Sequence, residues 1–321
     1  MAAYFSSLSL SNLFSRLPGG IAQGIIWGIM ALGVYITFRI LSFSDLSVDG
    51  TFATGGAVTV MLIIGGTPPV LAVLAAVAAG MLAGVCTGLL HTRLGIPAIL
   101  SGILTQFALY SVNLHVMGMA ANKSVNPGVF GLMISMRNIP MAILKGIIIA
   151  FAIIAVFYWF FGTEKGSAVR ATGDNPNMSR AQGINIDNCK VLGLALSNGL
   201  VALSGGLMAQ YQGYADVNMG RGAIVIGLAA IIIGEVLCNA FFKKRIEFYV
   251  ALSFIIIGGI VYYLVMTLIL WLKLDPNDLK LFTALIVAAF LAVPYLQGQS
   301  RSSFKAAARR AATRKEDSTN A

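Results

Sequence analysis

The sequence predicts an all-α, polytopic membrane bundle of about nine spans, with an inverted repeat and a broken second helix. Three observations carry that prediction. Of the 321 residues, 58% are apolar and only 11% are charged, against roughly 25% charge in a soluble domain. Such a chain cannot cover itself with polar surface. Its apolar residues also fall in blocks of about 20, the length that crosses a hydrocarbon core of roughly 30 Å. Finally, the basic residues sit at block ends and in the tail, where they set topology.

The blocks place spans at 20–41, 52–66, 69–91, 95–118, 140–162, 190–211, 222–241, 247–272 and 279–297. Residues 1–19 hold one charge, Arg16, and lack the basic start of a removable signal peptide. Tyr4 to Leu17 reads as an interfacial helix, which makes 1–19 an N-terminal segment ahead of a membrane domain at 20–297. The second span is short and flanked by Gly50, Gly55, Gly56, Gly65, Gly66 and Pro68-Pro69. Glycine and proline at that density predict a broken or re-entrant helix, tolerated only where protein or a cavity surrounds it.

The excess of Lys and Arg in Phe242-Lys243-Lys244-Arg245 and in the tail 298–321 places both in the cytoplasm. An odd number of spans then puts the N-terminus outside. Arg39 and the His91-Thr92-Arg93 turn fall inside under the same threading. The polar loop 119–139, with Asn122, Lys123, Asn126, Pro127 and Gly128, falls outside as a docking or lid element. The formal charge of +10 follows from this topology and not from a nucleic-acid surface.

Two stretches repeat. Gly28-Ile29-Met30-Ala31-Leu32 in the first span reads like Gly199-Leu200-Val201-Ala202-Leu203 in the sixth, and Gly50 and Ala53 recur as Gly220 and Ala223 at nearly the same offset. Five spans separate the copies, so the units face opposite ways, the pattern of inverted-repeat transporters. Small apolar residues also produce such matches by chance.

The loop 163–190 is the most polar stretch between spans. Within it Asp174 or Asn175 can cap a helix that starts at Pro176, and Gly183 can end it. This run resembles the cytoplasmic loop of the branched-chain amino acid and ribose type of ATP-binding-cassette importer permeases. The resemblance covers roughly residues 20–297 and is most specific from Gly173 to Ile184. It implies a helix that seats in a groove of a separate ATPase subunit, with Gly173, Asp174, Asn175, Pro176, Arg180, Ala181 and Gly183 at the contact. It also implies an extracytoplasmic solute-binding protein, a second copy of the chain and a location in the cytoplasmic membrane. Within the family the likeness leans to amino-acid permeases, the tryptophan and tyrosine type among them, though no residue decides the solute.

The chain has no Gly-x-x-x-x-Gly-Lys-Ser/Thr loop, and Gly220-x-Gly222 lacks the third glycine of a dinucleotide fingerprint. ATP and its hydrolysis are therefore expected on the partner subunit, with no cofactor held by this chain. Cys86, Cys189 and Cys238 show no metal spacing, and His91 and His115 have no ligand-spaced neighbours. No nucleophile and base set lies in the spans, which argues against an enzyme.

Candidate translocation-path residues are Thr51, Thr54, Thr105, Gln106, Asn198 and Glu235. The uncharged groups can touch a solute without trapping it, or can bond between helices. Glu235 is either a gate or a structural partner of nearby polar groups. Asp45 and Asp49 read as caps of the broken second helix. Gly24 and Gly28, and Gly80, Gly84 and Gly88, line helix faces that admit a neighbouring backbone, inside the chain or at a dimer seam. The competing function is an ion- or proton-coupled secondary transporter, for which Glu235 alone is a thin set of groups.

Overall fold

The computed structural model describes residues 10–128, 130–242, 247–272, 281–285, 287–289 and 292. The basic loop 243–245, the tail 298–321, residues 1–9 and most of the expected ninth span lie outside the described residues. The chain divides into two units, Met1–Leu274 and Asp275–Ala321. In the second, 281–285 and 287–289 are helical.

Among its described residues the first unit holds ten α-helices: α1 (Leu10–Tyr35), α2 (Val48–Ile64), α3 (Pro69–Thr92), α4 (Ala98–Val116), α5 (Ile139–Gly162), α6 (Glu164–Asp174), α7 (Pro176–Ala181), α8 (Ile186–Gln212), α9 (Ala223–Phe241) and α10 (Phe248–Trp271). Among the described residues, seven helical segments are long and apolar enough to cross a membrane, and α2 is a shorter apolar helix. The helical bundle is as expected, but the second helix is continuous from Val48 to Ile64 and not broken within its length, because its glycines pack against neighbouring helices. Within the segment expected at 1–19, the described residues from Leu10 onward are helical and continue into α1 through Pro18. A two-stranded antiparallel ribbon, β1 (Asn122–Ser124) and β2 (Tyr214–Asp216), pairs Asn122 with Asp216.

Helices α1 and α8 form the centre: 78% and 72% of their apolar windows are buried, against 28–39% for the other spanning helices. They run antiparallel, tied by three hydroxyls spaced seven residues apart on α8. Ser197 Oγ donates to Gly33 O (2.7 Å), Ser204 Oγ to Ile26 O (2.7 Å) and Tyr211 OH to Gly19 O (3.4 Å). Lipid offers no hydrophobic drive between helices, so such bonds and close packing hold the bundle. Both glycine stripes serve that packing inside the chain. A Cβ on Gly80, Gly84 or Gly88 would meet α8 at Asn198, Leu194 and Val191, and one on Gly24 or Gly28 would meet α10 at Ile260 and Ile256.

Both α1 and α8 are followed by a break in the helical path. After Tyr35 the chain takes one π-helical stretch, Ile36–Ile40, of a kind often found at functional sites. Ser42 then adopts a positive φ of 52°, and the chain turns back along α8 to start α2. After Gln212 the chain turns at Gly213 (φ 80°), forms β2, and reaches α9 through Gly222 (φ 87°).

Candidate functional site

The two breaks meet at the centre. Asp45 is buried and its Oδ1 accepts from Ser47 N (2.8 Å) and Ser47 Oγ (2.6 Å). Its Oδ2 accepts from Nδ2 of Asn198 (2.8 Å), at the middle of α8. Asp49, in the first turn of α2, accepts instead from the backbone N–H groups of Gly222 (2.9 Å) and Ile224 (3.0 Å) at the start of α9. The expectation that both acids cap α2 is therefore corrected. Asp45 fixes Ser47, the residue preceding α2, to α8, while Asp49 caps α9. One carboxylate thus faces the positive ends of two helix dipoles, which suits its charge at this depth.

The expected path residues are mostly held in local bonds. Thr51 Oγ1 donates to Ser47 O (3.1 Å) and Thr54 Oγ1 to Gly50 O (3.0 Å), both buried. Buried Thr105 donates to Ser101 O (3.0 Å) and accepts from Thr87 Oγ1 (2.9 Å). Gln106 is half-buried on α4 where that helix crosses Gly50. Asn198 belongs to the Asp45 cluster. Glu235 stands apart: it forms a 2.9 Å ion pair with Arg39 and borders a cavity of about 360 Å³ with Tyr35, Asn239 and Phe248.

The loop 163–190 forms a docked, exposed platform. Asn175 Oδ1 accepts from Met178 N (3.0 Å), Pro176 opens α7, and Gly183 (φ 81°) follows it. These features match the helix read from Asn175-Pro176 and Gly183. The preceding helix α6 was not expected; Thr163 caps it by accepting from Gly166 N (3.3 Å). Asp174, Asn175, Pro176, Met178, Arg180 and Ala181 are exposed, as is Gly183. Gly173 packs against the backbone of Ile40 and Leu41, where a Cβ would overlap Ile40 O. The platform therefore rests on the π-helical stretch that carries Arg39. Between them lies a cavity of about 610 Å³ bordered by Arg39, Ser42, Arg170 and Asp174.

A further cavity, of about 410 Å³, lies at the ribbon end and went unread in the sequence. Its wall includes Trp27, Phe52, Met208, Tyr214, Asp216 and Met219. The Trp27 ring stacks between Phe52 (4.7 Å between centroids) and Tyr263 (5.8 Å). Its residues come from α1, α2, α8 and the ribbon, so no local motif announces it.

A bundle of membrane-length helices with paired helix breaks at its centre and cavities toward both ends has the architecture of a polytopic membrane transport protein. Residues 17–294 match the family described as "Branched-chain amino acid transport system / permease component", and the chain belongs to that family. It is 41% identical over 274 residues to a tyrosine transport system permease protein of Clostridioides difficile, covering 84% of this chain and 88% of the relative. It is 34% identical over 270 residues to an uncharacterized protein of Rickettsia prowazekii, covering 83% and 92%. The ribose import permease protein of Escherichia coli is 27% identical over 198 residues, covering 60% and 59%. No solved structure matches the chain. The chain is accordingly a multi-pass permease of the cytoplasmic membrane.

Proposed function

We propose that this permease is the membrane subunit of an ATP-binding-cassette importer that moves a small polar solute, an amino acid, inward by alternating access. The observation that carries the reading is the exposed α7 platform seated, through Gly173, on the π-helical stretch. An ATPase that pushes on α7 displaces Ile40 and the adjacent Arg39. The Arg39–Glu235 pair passes that displacement to α9, whose first turn is held by Asp49 beside α2. Such a chain of packed contacts joins the platform to the centre without requiring a flexible link.

The inverted repeat belongs to the same proposal. Helices α1 and α8 run antiparallel, each is followed by a break, and the second members α2 and α9 meet at their N-termini through Asp49. That arrangement supports two units facing opposite ways about the centre, and with it the nine-span threading and the cytoplasmic placement of α7. The identity with a tyrosine transport system permease supports an amino acid as cargo. The remaining partners are an ATPase subunit that holds ATP, an extracytoplasmic solute-binding protein and a second copy of the chain.

Replacing Met178 and Arg180 together by Glu tests the platform. Both side chains are exposed, so the variant is expected in the membrane at parental level. It should fail to co-purify the ATPase and should show uptake reduced at least about tenfold, the effect of burying unpaired charge in an interface. Retained ATPase and normal uptake would refute the role of α7.

A further inference from the structure

The apolar run of α5 ends at Gly162 and the polar α6 starts at Glu164, so this corner of the bundle stands at the membrane–water interface. A cavity of about 470 Å³ opens there, bordered by Tyr158, Trp159, Phe161, Thr163, Arg170 and Phe248. Trp159 is 70% exposed and Tyr158 59%, so these rings are presented outward and not packed into the core. Leu144, Ile148, Phe151 and Ala155 are exposed on the same face of α5, at helical spacing. From Leu144 to Tyr158 the stripe runs about 21 Å, longer than the roughly 15 Å occupied by the chains of one leaflet. At its head stands a cation. Arg170 Nη2 donates to Phe161 O (2.7 Å), and the guanidinium lies 6.0 Å from the centre of the Phe248 ring. These contacts fix the group while most of its N–H donors stay available. Among the described residues Arg39 is ion-paired with Glu235, whereas no carboxylate pairs with Arg170. Asp174 borders the neighbouring cavity and not this one.

We infer that this groove binds an anionic glycerophospholipid, its phosphodiester on Arg170 and an acyl chain along the exposed stripe of α5. A guanidinium held in place offers its fork to two phosphate oxygens. Among the described residues the wall carries no Asp or Glu to receive the ammonium of a zwitterionic headgroup, and the Phe248 ring is already turned to Arg170. A headgroup of net negative charge therefore fits better than a neutral one. Interfacial Trp and Tyr fix the depth of the groove at the headgroups, and basic pockets between membrane helices are where anionic headgroups bind. The bound phosphate lies one helical turn before Gly173, which seats the α7 platform on the π-helical stretch. Lipid composition thus acts on the helix that carries the platform. This inference concerns the surrounding membrane and holds whatever solute the permease moves.

The test titrates the full-length chain, purified in detergent, with dioleoyl phosphatidylglycerol or dioleoyl phosphatidylethanolamine and counts bound lipid by native mass spectrometry. The parental chain should hold phosphatidylglycerol about tenfold more tightly, the effect of one charge-assisted pair. Arg170→Gln should remove that preference and leave phosphatidylethanolamine binding unchanged. Because Arg170 also bonds to Phe161 O, Trp159→Ala is the second variant. Its side chain is exposed, so the chain should fold while phosphatidylglycerol binding falls severalfold. Lys165→Gln is the control, since Lys165 is an exposed cation on α6 that does not border the cavity, and it should keep the preference. Equal binding of the two lipids by the parental chain overturns the site. So does a loss from Lys165→Gln as large as that from Arg170→Gln or Trp159→Ala, which would mean attraction by overall charge. Displacement of phosphatidylglycerol by soluble glycerol 3-phosphate at equal concentration overturns the lipid as occupant in favour of a free phosphate.

Discussion

Asp45 illustrates how a carboxylate persists at membrane depth. An unpaired charge there is expensive, yet every Asp45 oxygen is met by a donor from Ser47 or Asn198. The cluster fixes where the first break leaves α8, and so the position of α2. Asn198→Asp places two carboxylates against each other and should lower thermal stability by at least about 1–3 kcal/mol. Adding Asp45→Asn restores a donor between the two positions and should recover most of that loss. The measurement is a double-mutant cycle on melting in detergent, where a coupling above about 0.5 kcal/mol marks contact. Additive losses would show that the two side chains do not act as a unit. The sequence exposed Asp45, Asp49, Asn198 and Glu235 as unusual residues but not their partners. Asp49 finds Gly222 and Ile224, and Glu235 finds Arg39, across separations that no local pattern encodes.

At the scale of elements, most of the bundle was legible because lipid imposes length and apolarity on each crossing. The short α7 was legible too, since Asn175-Pro176 and Gly183 are start and stop signals. Helix α6 was not, because Glu164–Asp174 is polar and carries no apolar stripe. The glycine stripes were visible, and what they face became clear only with α8 and α10 packed against them. Gly84→Leu should therefore separate α3 from α8, since its Cβ would enter the backbone of Leu194 and Ala195. Overpacking of this kind costs about 1–3 kcal/mol or more, read as lost folded yield and earlier melting. Gly162→Ala is the control: its Cβ meets open space at the end of α5, and the variant should melt at or slightly above the parent. Equal damage from both would mean that glycine is needed for backbone freedom and not for close approach.

At the scale of the whole molecule, the direction in which the chain is threaded decides which cavity meets which partner. Arg39, Arg93, Lys165, Arg170, Arg180 and Lys190 lie toward the α7 end, where the basic loop 243–245 and the tail also fall in the sequence threading. The ribbon, with Asp216 and Asn122, lies at the opposite end of α8. Basic loops remain in the cytoplasm during insertion, so α7 should face inward and the ribbon-end cavity outward, toward a solute-binding protein. Single-cysteine variants on a background lacking Cys86, Cys189 and Cys238 measure this directly. Met178→Cys, on exposed α7, should react with a membrane-impermeant maleimide in inside-out vesicles and not in intact spheroplasts. Asn126→Cys, in the loop after β1, should show the reverse. If both react from the same side, an even number of crossings separates the opposite faces assigned here, and the inward direction of α7 falls with the route from it to α9. If the two labels exchange sides, the fold stands but the ribbon-end cavity opens to the cytoplasm, and α7 faces outward where no ATPase can press on it.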